Sequence, residues 1–458
     1  MPHLLNQKDT KRQAVIVIHG IGEQIPMTTL RNFVENVLDA KPGFNTPLYY
    51  SKPDPFSRSF ELRCLATPGN TRPRTDFFEF YWQHLIPQAQ WSKIFDWVWF
   101  IMNRGIKTIP YQFRSIWWIL WIGVVALCII TLVSLIYAGF HPQERTETLI
   151  EIPFGIAAIW LFLQGLFLSY VGDAATYLRA HPRNIAARHE IRSAGVSLLN
   201  SLHRSRKYDR IIVVGHSLGS IIGYDILNFA WQQYCDKHGY PERPQRDSFR
   251  KAETIAVYMH KMIDNGKEIP KDLRDEWMDL TKKVGRELRA NNHSWLVTNF
   301  VTLGSPLAHA DLLLAKNRRD LKQKIEQREL PVSPPVVNQG GTFAKVIDYK
   351  LPDGSLRTTF VPHHAAWTAC VRWTNLYFPC QWLLKGDFVG GPLSPLFGSG
   401  VQDVPVSTKI GGGWFSHTYY WAKDQKNNWV ESNSIRNLKL ALDLQGKGYR
   451  PADREDPK

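Results

Sequence analysis

The chain has 458 residues, is 44% apolar, and carries a formal charge of +15 and 17 tryptophans. That length and composition exclude a disordered or fibrous chain, and they suffice for one large α/β unit with insertions or for two or three domains. Five cysteines, at 64, 128, 235, 370 and 380, show no paired spacing, which argues against a disulfide framework or a zinc site and for a reducing compartment.

Residues 1–13 are polar and hold no apolar run, so no cleavable signal peptide is expected. Residues 14–18 (Ala-Val-Ile-Val-Ile) are continuously apolar, the pattern of a strand buried on both faces of a parallel sheet. A glycine-rich turn follows, His19-Gly20-Ile21-Gly22-Glu23. The spacing of Leu30, Phe33, Val34, Val37 and Leu38 predicts a helix over 28–38. Residues 41–76 are rich in Pro, Gly and Arg, with one short strand candidate at 60–65; residues 76–82 read as another strand. Residues 91–102 crowd together Trp91, Phe95, Trp97, Trp99 and Phe100, a belt suited to the membrane–water interface.

Residues 116–140 and 152–171 contain no charged side chain. A bilayer span needs about 20 residues, so the two runs predict a transmembrane helical hairpin. Arg104, Lys107 and Arg114 precede it, and Arg179, Arg183 and Arg188 follow. The connecting loop holds Arg145 against Glu144, Glu147 and Glu151. The positive-inside rule then puts both flanks, and the parts attached to them, in the cytoplasm. The excess positive charge suits anionic lipid of the inner leaflet. No zinc-finger, helix-turn-helix or RNP pattern is present, so no nucleic-acid partner is expected.

Residues 185–202 are amphipathic and predict a helix. Ile211-Ile212-Val213-Val214 then gives a second buried strand, followed at once by Gly215-His216-Ser217-Leu218-Gly219 and by apolar residues at helical spacing. Strand, G-x-S-x-G and helix in immediate succession form a nucleophile-elbow pattern: a turn this tight needs glycines at its flanks and exposes the Ser217 hydroxyl. Residues 236–293 are charged and helical in pattern, broken by Pro241, Pro244 and Pro270, and are expected to form a cap. Residues 294–303 read as a strand, 316–329 as a charged helix, 343–361 as a hairpin and 371–377 as a late core strand. Asp387 follows in a glycine-bounded loop, His417 in a second loop about 30 residues on. A last helix is expected over 434–444 and a polar tail over 446–458. Residues 13–90, 172–235 and 294–445 thus make up one core, with 91–171 and 236–293 as insertions.

Through Gly215–Gly219, His19–Gly22 and Thr302-Leu303-Gly304-Ser305-Pro306-Leu307, the chain resembles the α/β-hydrolase superfamily, and within it lipase- and esterase-like members, over about 13–85 and 172–445. The resemblance implies an α/β-hydrolase fold, here with an inserted two-helix transmembrane hairpin and a helical cap. It implies an acyl-enzyme mechanism with Ser217 as nucleophile, His417 as base and Asp387 as the acid that orients the base, in the order Ser, Asp, His. It also implies an oxyanion hole from the backbone amides of Ile21 and Leu218, with His19, Gly20, Gly215, His216 and Gly219 shaping the two turns. His309, His363 and His364 are rivals for the base, Asp311 and Asp403 for the acid. No metal or cofactor is implied. The expected function is cleavage of acyl esters, including phospholipid, at the cytoplasmic face of a membrane. A thioesterase, an acyltransferase or a catalytically silent membrane scaffold would carry the same pattern.

Overall fold

The computed structural model describes residues 12–140, 177–235 and 247–445, apart from 22–24, 39–46, 87–102, 107–110, 179–181, 382–384, 414–415, 424–431 and a few pairs and single positions. Its centre is an eight-stranded mixed sheet, built from β1 (Arg12–Ile18), β2 (Tyr50–Pro53), β3 (Arg63–Ala66), β4 (Arg74–Phe80), β5 (Arg210–His216), β6 (Val297–Leu303), β9 (Arg372–Tyr377) and β10 (Gln402–Pro405). The spatial order is β10-β9-β6-β5-β1-β4-β3-β2. The six strands from β10 to β4 run parallel. β3 and β2 are added antiparallel at one edge. A separate hairpin, β7 (Ala344–Lys350) with β8 (Leu356–Pro362), lies where the pattern of 343–361 predicts it.

The alternation of side chains along each strand explains the layers. Ala14, Ile16 and Ile18 of β1, with Ile211 and Val213 of β5, point into one core cluster; Val15, Val17, Ile212 and Val214 point into the other. The first cluster is covered by α3 (Pro182–Arg204), α4 (Leu218–Cys235), α5 (Asp247–Asp264) and α6 (Lys271–Ala290). The second is covered by α1 (Thr28–Val37) and by the last helix, Asn433–Leu442. Because both faces are buried, the central strands can be apolar at every position, which is why they stand out in the sequence.

The helix after β1 therefore packs on one face and the helix after β5 on the other, although these strands are neighbours. The chain leaves their carboxyl ends in opposite directions and opens a crevice between them, the place where open parallel sheets bind their ligands. The fold thus marks the ends of β1 and β5, at His19 and Ser217, before any chemistry is considered.

The segment expected as a cap contributes α5 and α6. Phe249, Ala252 and Met259 of α5 and Trp277, Leu280, Val284 and Leu288 of α6 are buried in the same cluster as the sheet. Lys282 of α6 pairs with Asp443 at 3.9 Å. These helices form part of the flanking layer; residues 236–246 lie outside the described residues.

α2 (Tyr111–Phe140) is 30 residues long, about 45 Å at the helical rise. Ile122, Val125, Ile129, Leu132, Val133 and Ile136 are each more than half exposed along it. Several of its side chains are outside the description, and across the described residues alone no helix is long and apolar enough to cross a membrane. The predicted hairpin is therefore not found among them. Its first limb is helical, and its second, 152–171, together with the aromatic segment 91–102, lies outside the described residues.

Candidate active site

β5 ends at His216 and α4 begins at Leu218, so Ser217 alone makes the turn. Its φ of 52° lies in the left-handed region, a conformation that costs a residue with a Cβ about 1–2 kcal/mol. The surroundings hold it there. The Ser217 N–H donates to the Leu303 carbonyl at 2.9 Å, and the Ser217 carbonyl accepts from the Ser220 N–H at 2.9 Å and the Ser220 hydroxyl at 2.6 Å. Ser220 Oγ is in turn 2.6 Å from Ser305 Oγ. The flanking glycines are required by close approach. A Cβ on Gly219 would stand 2.3 Å from the Ile18 carbonyl oxygen, and one on Gly215 would stand 2.5 Å from the Ser220 Cα.

Leu218 heads α4, so its amide is one of the N–H groups a helix leaves without an internal acceptor. Ile21 lies just past the end of β1, half-buried against the core; Gly22 and Glu23 are outside the described residues. Gly20 abuts Ser217, for a Cβ there would be 2.8 Å from Ser217 Cβ. His19 serves the structure. Its ring is buried, stacks on Trp82 at 5.0 Å and lies 2.8 Å from the Gly20 carbonyl through Nδ1. Burial holds its pKa down at about 4, so it stays neutral.

His417 Nδ1–H donates to Asp387 Oδ2 at 2.9 Å. The acid is completely buried, and all its contacts favour the carboxylate. Tyr420 donates its hydroxyl to Oδ2 at 2.7 Å, and the amides of Val389 and Gly390 donate to Oδ1 at 2.8 and 3.0 Å. Burial alone would raise its pKa. The His417 ring and these donors overcome that and hold it at about 2. The loop is further packed by His309, which burial keeps neutral with a pKa of about 4 and which bonds to the backbone of Phe388 and Val389.

Two contacts bring this pair to the turn at Ser217. His216 Nε2–H donates to the His417 carbonyl at 2.8 Å, with the two rings 5.0 Å apart. Gly304 follows Leu303, the residue that holds the Ser217 amide, and has a φ of 55°. A Cβ on Gly304 would stand 2.7 Å from Asp387 Oδ2 and 3.0 Å from His417 Nδ1. The His417–Asp387 pair thus lies against His216 and Gly304, the residues next to Ser217 and Leu303 at the carboxyl ends of β5 and β6. With Nδ1 committed to Asp387, Nε2 is the nitrogen left to exchange a proton, the division of labour a serine nucleophile needs.

The rivals are engaged elsewhere. Asp403 accepts from Asn375 Nδ2 and from the amides of Leu393 and Ser394, at 2.7–2.8 Å. His363 bonds to the Val336 carbonyl and His364 to the Arg328 carbonyl. Asp311 lies in the first turn of the short helix Ala310–Leu313. The sequence reading missed Tyr420 as a second donor to the acid, and His216 as the strut of the base. A tyrosine three residues after the base is the one local hint, and it is a weak one. Comparison with protein-family models, with curated proteins and with solved structures found no match. The class established by the fold is therefore α/β, with a mostly parallel eight-stranded sheet flanked by helices.

Proposed function

We propose that the chain is a membrane-anchored serine hydrolase of the α/β-hydrolase type that cleaves acyl esters at the cytoplasmic face of a bilayer. The observation that carries the reading is the 2.9 Å His417–Asp387 pair beside a serine held at positive φ between a strand and a helix. Ser217 Oγ attacks the ester carbonyl as His417 Nε2 takes its proton. The amides of Ile21 and Leu218 hold the oxyanion of the tetrahedral intermediate. His417 returns the proton to the departing alcohol and leaves an acyl-Ser217, which water then cleaves by the same steps. Asp387 stays ionised throughout and stabilises the imidazolium.

The fluorophosphonate reaction tests this reading, because such probes form a covalent adduct with an activated serine. Wild type is expected to label and Ser217→Ala to remain unlabelled. Absence of labelling in wild type would favour a silent scaffold of the same architecture.

The membrane part of the proposal rests on α2. Fully burying one large apolar side chain is worth about 1.5–3 kcal/mol, so the half-exposed row on α2 forgoes on the order of 10 kcal/mol if it stays in water. That rivals the stability of a whole domain, and a lipid environment relieves it. Deleting residues 116–171 is expected to move the protein from the membrane pellet to the supernatant after ultracentrifugation. Unchanged pelleting of a folded deletion variant would locate the membrane contact elsewhere.

A further inference from the structure

Cations gather at the amino ends of the central strands, roughly 20 Å from Ser217 along β5 at the strand rise. Arg210 opens β5 and Arg372 opens β9. Lys282, Arg286 and Arg289 of α6 are spaced i, i+4 and i+7 and share one helix face. That face lies against the chain entering β9, since a Cβ on Gly285 would stand 3.1 Å from the Cys370 carbonyl oxygen and 3.4 Å from Arg289 Nη1. Arg372 sits beside Asn299 in register, and Asn299 Oδ1 accepts from Arg210 Nη2 at 3.0 Å.

Asp443, just past the last helix, is the carboxylate that meets them; its Oδ2 is 3.9 Å from Lys282 Nζ. Arg210 is built into the fold, donating to the Leu442 and Asp443 carbonyls at 3.0 and 2.8 Å. The cations still repel one another. Burial first, then the charges of Arg372 and Arg289, lower the pKa of Arg210 to about 10 against the pull of Asp443. Burial also lowers those of Lys282 and Arg289, and Arg286 adds to both shifts. The carboxyl end of α6 offers about half a negative charge, too little to balance several cations. Arg289 Nη1 is buried and has no hydrogen-bond partner among the described residues. A half-buried cation short of counter-charge is costly, so the cluster favours an anion. Arg286 is exposed and gives an anion a way in.

We infer that this cluster is a binding site for a phosphate group, carried by a soluble phosphate ester or by a lipid headgroup. A phosphate monoester brings about 1.5–2 negative charges near pH 7 and three acceptor oxygens, enough to meet several guanidinium forks at once. A carboxylate brings one charge and fills one fork. The site lies at the opposite end of the strands from Ser217 and stands whether or not that serine reacts.

Isothermal titration calorimetry on the full-length protein in detergent, at constant ionic strength, tests this. The probes are glycerol 3-phosphate and a dihexyl ether phosphatidic acid, which has no ester to cleave. Wild type is expected to bind at least one of them saturably. Arg286→Gln, at an exposed helical position where substitutions disturb the fold little, and Arg289→Gln each remove one charged donor. At least one of them is expected to raise Kd by about tenfold or more, the usual loss for a hydrogen bond to a charged group. Lys322→Gln, on the exposed helix Arg318–Glu326, removes the same charge elsewhere and should leave Kd unchanged. A phosphatidic acid held at least tenfold more tightly than glycerol 3-phosphate identifies a lipid headgroup as the source; similar affinities identify a soluble ester. Wild type that binds neither probe, binding that survives both arginine substitutions unchanged, or an equal loss in Lys322→Gln overturns the site. None of these results touches the hydrolase reading, which fluorophosphonate labelling of Ser217 decides separately.

Discussion

His417→Ala is expected to lower kcat for a short-chain ester by roughly ten-thousand-fold, and Asp387→Asn by a similar factor, with the fold intact. A serine hydroxyl is inert at its own pKa and needs a base in place. His417 is held from both sides, its Nδ1 by Asp387 at 2.9 Å and its carbonyl by His216 at 2.8 Å. An amide at 387 cannot accept and orient as a carboxylate does, and it forfeits the charge that stabilises the imidazolium. Tyr420→Phe removes one of four hydrogen bonds to the acid and leaves the other three. A hydrogen bond to a charged group contributes about 1.5–3 kcal/mol, so kcat should fall by about tenfold or somewhat more. Near-wild-type kcat in His417→Ala or Asp387→Asn would reassign that role, and a Tyr420→Phe enzyme as crippled as Asp387→Asn would make Tyr420 more than a positioning residue.

The second large effect is on stability in acid. Burial is the leading cause that depresses the pKa of His19, His203, His309 and His363 to about 4 and that of His216 to about 3. In the unfolded chain each titrates near 6.5. Between about pH 6.5 and 4 the unfolded state therefore binds protons that the native state refuses, so stability falls as pH falls through that window and is fully present above it. Glu79 acts in the opposite sense. Burial, only partly offset by the amides of Met27 and Leu30, raises its pKa to about 7. Its native form holds a proton the unfolded form has lost between pH 4.5 and 7, so its contribution declines as pH rises through that range. Asp54 and Glu287, whose pKa values burial also raises, act in the same sense as Glu79, and the five imidazoles still outweigh these carboxyls, leaving a net loss on the order of a few kcal/mol per pH unit near pH 5.5. A typical domain is stable by only about 5–15 kcal/mol, so the urea midpoint should collapse between pH 6.5 and 5. A midpoint that is flat from pH 7 to 5 would mean that these imidazoles can be protonated in place.

Much of the fold was legible in the chain for a simple reason. β1 and β5, in the middle of the sheet and buried on both faces, show as unbroken apolar runs. The elbow needs Gly215 and Gly219 within a few ångströms of neighbouring backbone, a steric demand that appears as a motif. β2 and β10 were not legible. Every residue of β2 is exposed, and it is a strand only because its backbone pairs with β3; β10 is an edge strand paired with β9. The helices of 247–290 were read as helical, but helical periodicity is the same over a site as on the flank of a sheet, so the pattern did not say where they pack.

The sequence by itself determined the buried strands β1 and β5, the serine at the strand-to-helix turn and the helix over the first uncharged run, because burial on two faces, a crowded turn and an uninterrupted run without charge each constrain consecutive residues. Only the tertiary structure decided which imidazole meets which carboxylate. His417 is bonded to Asp387 30 positions away and to His216 201 positions away, while Asp403, equally close to loop amides, pairs with Asn375 instead. Such meetings depend on the paths of loops through space, which no local spacing encodes.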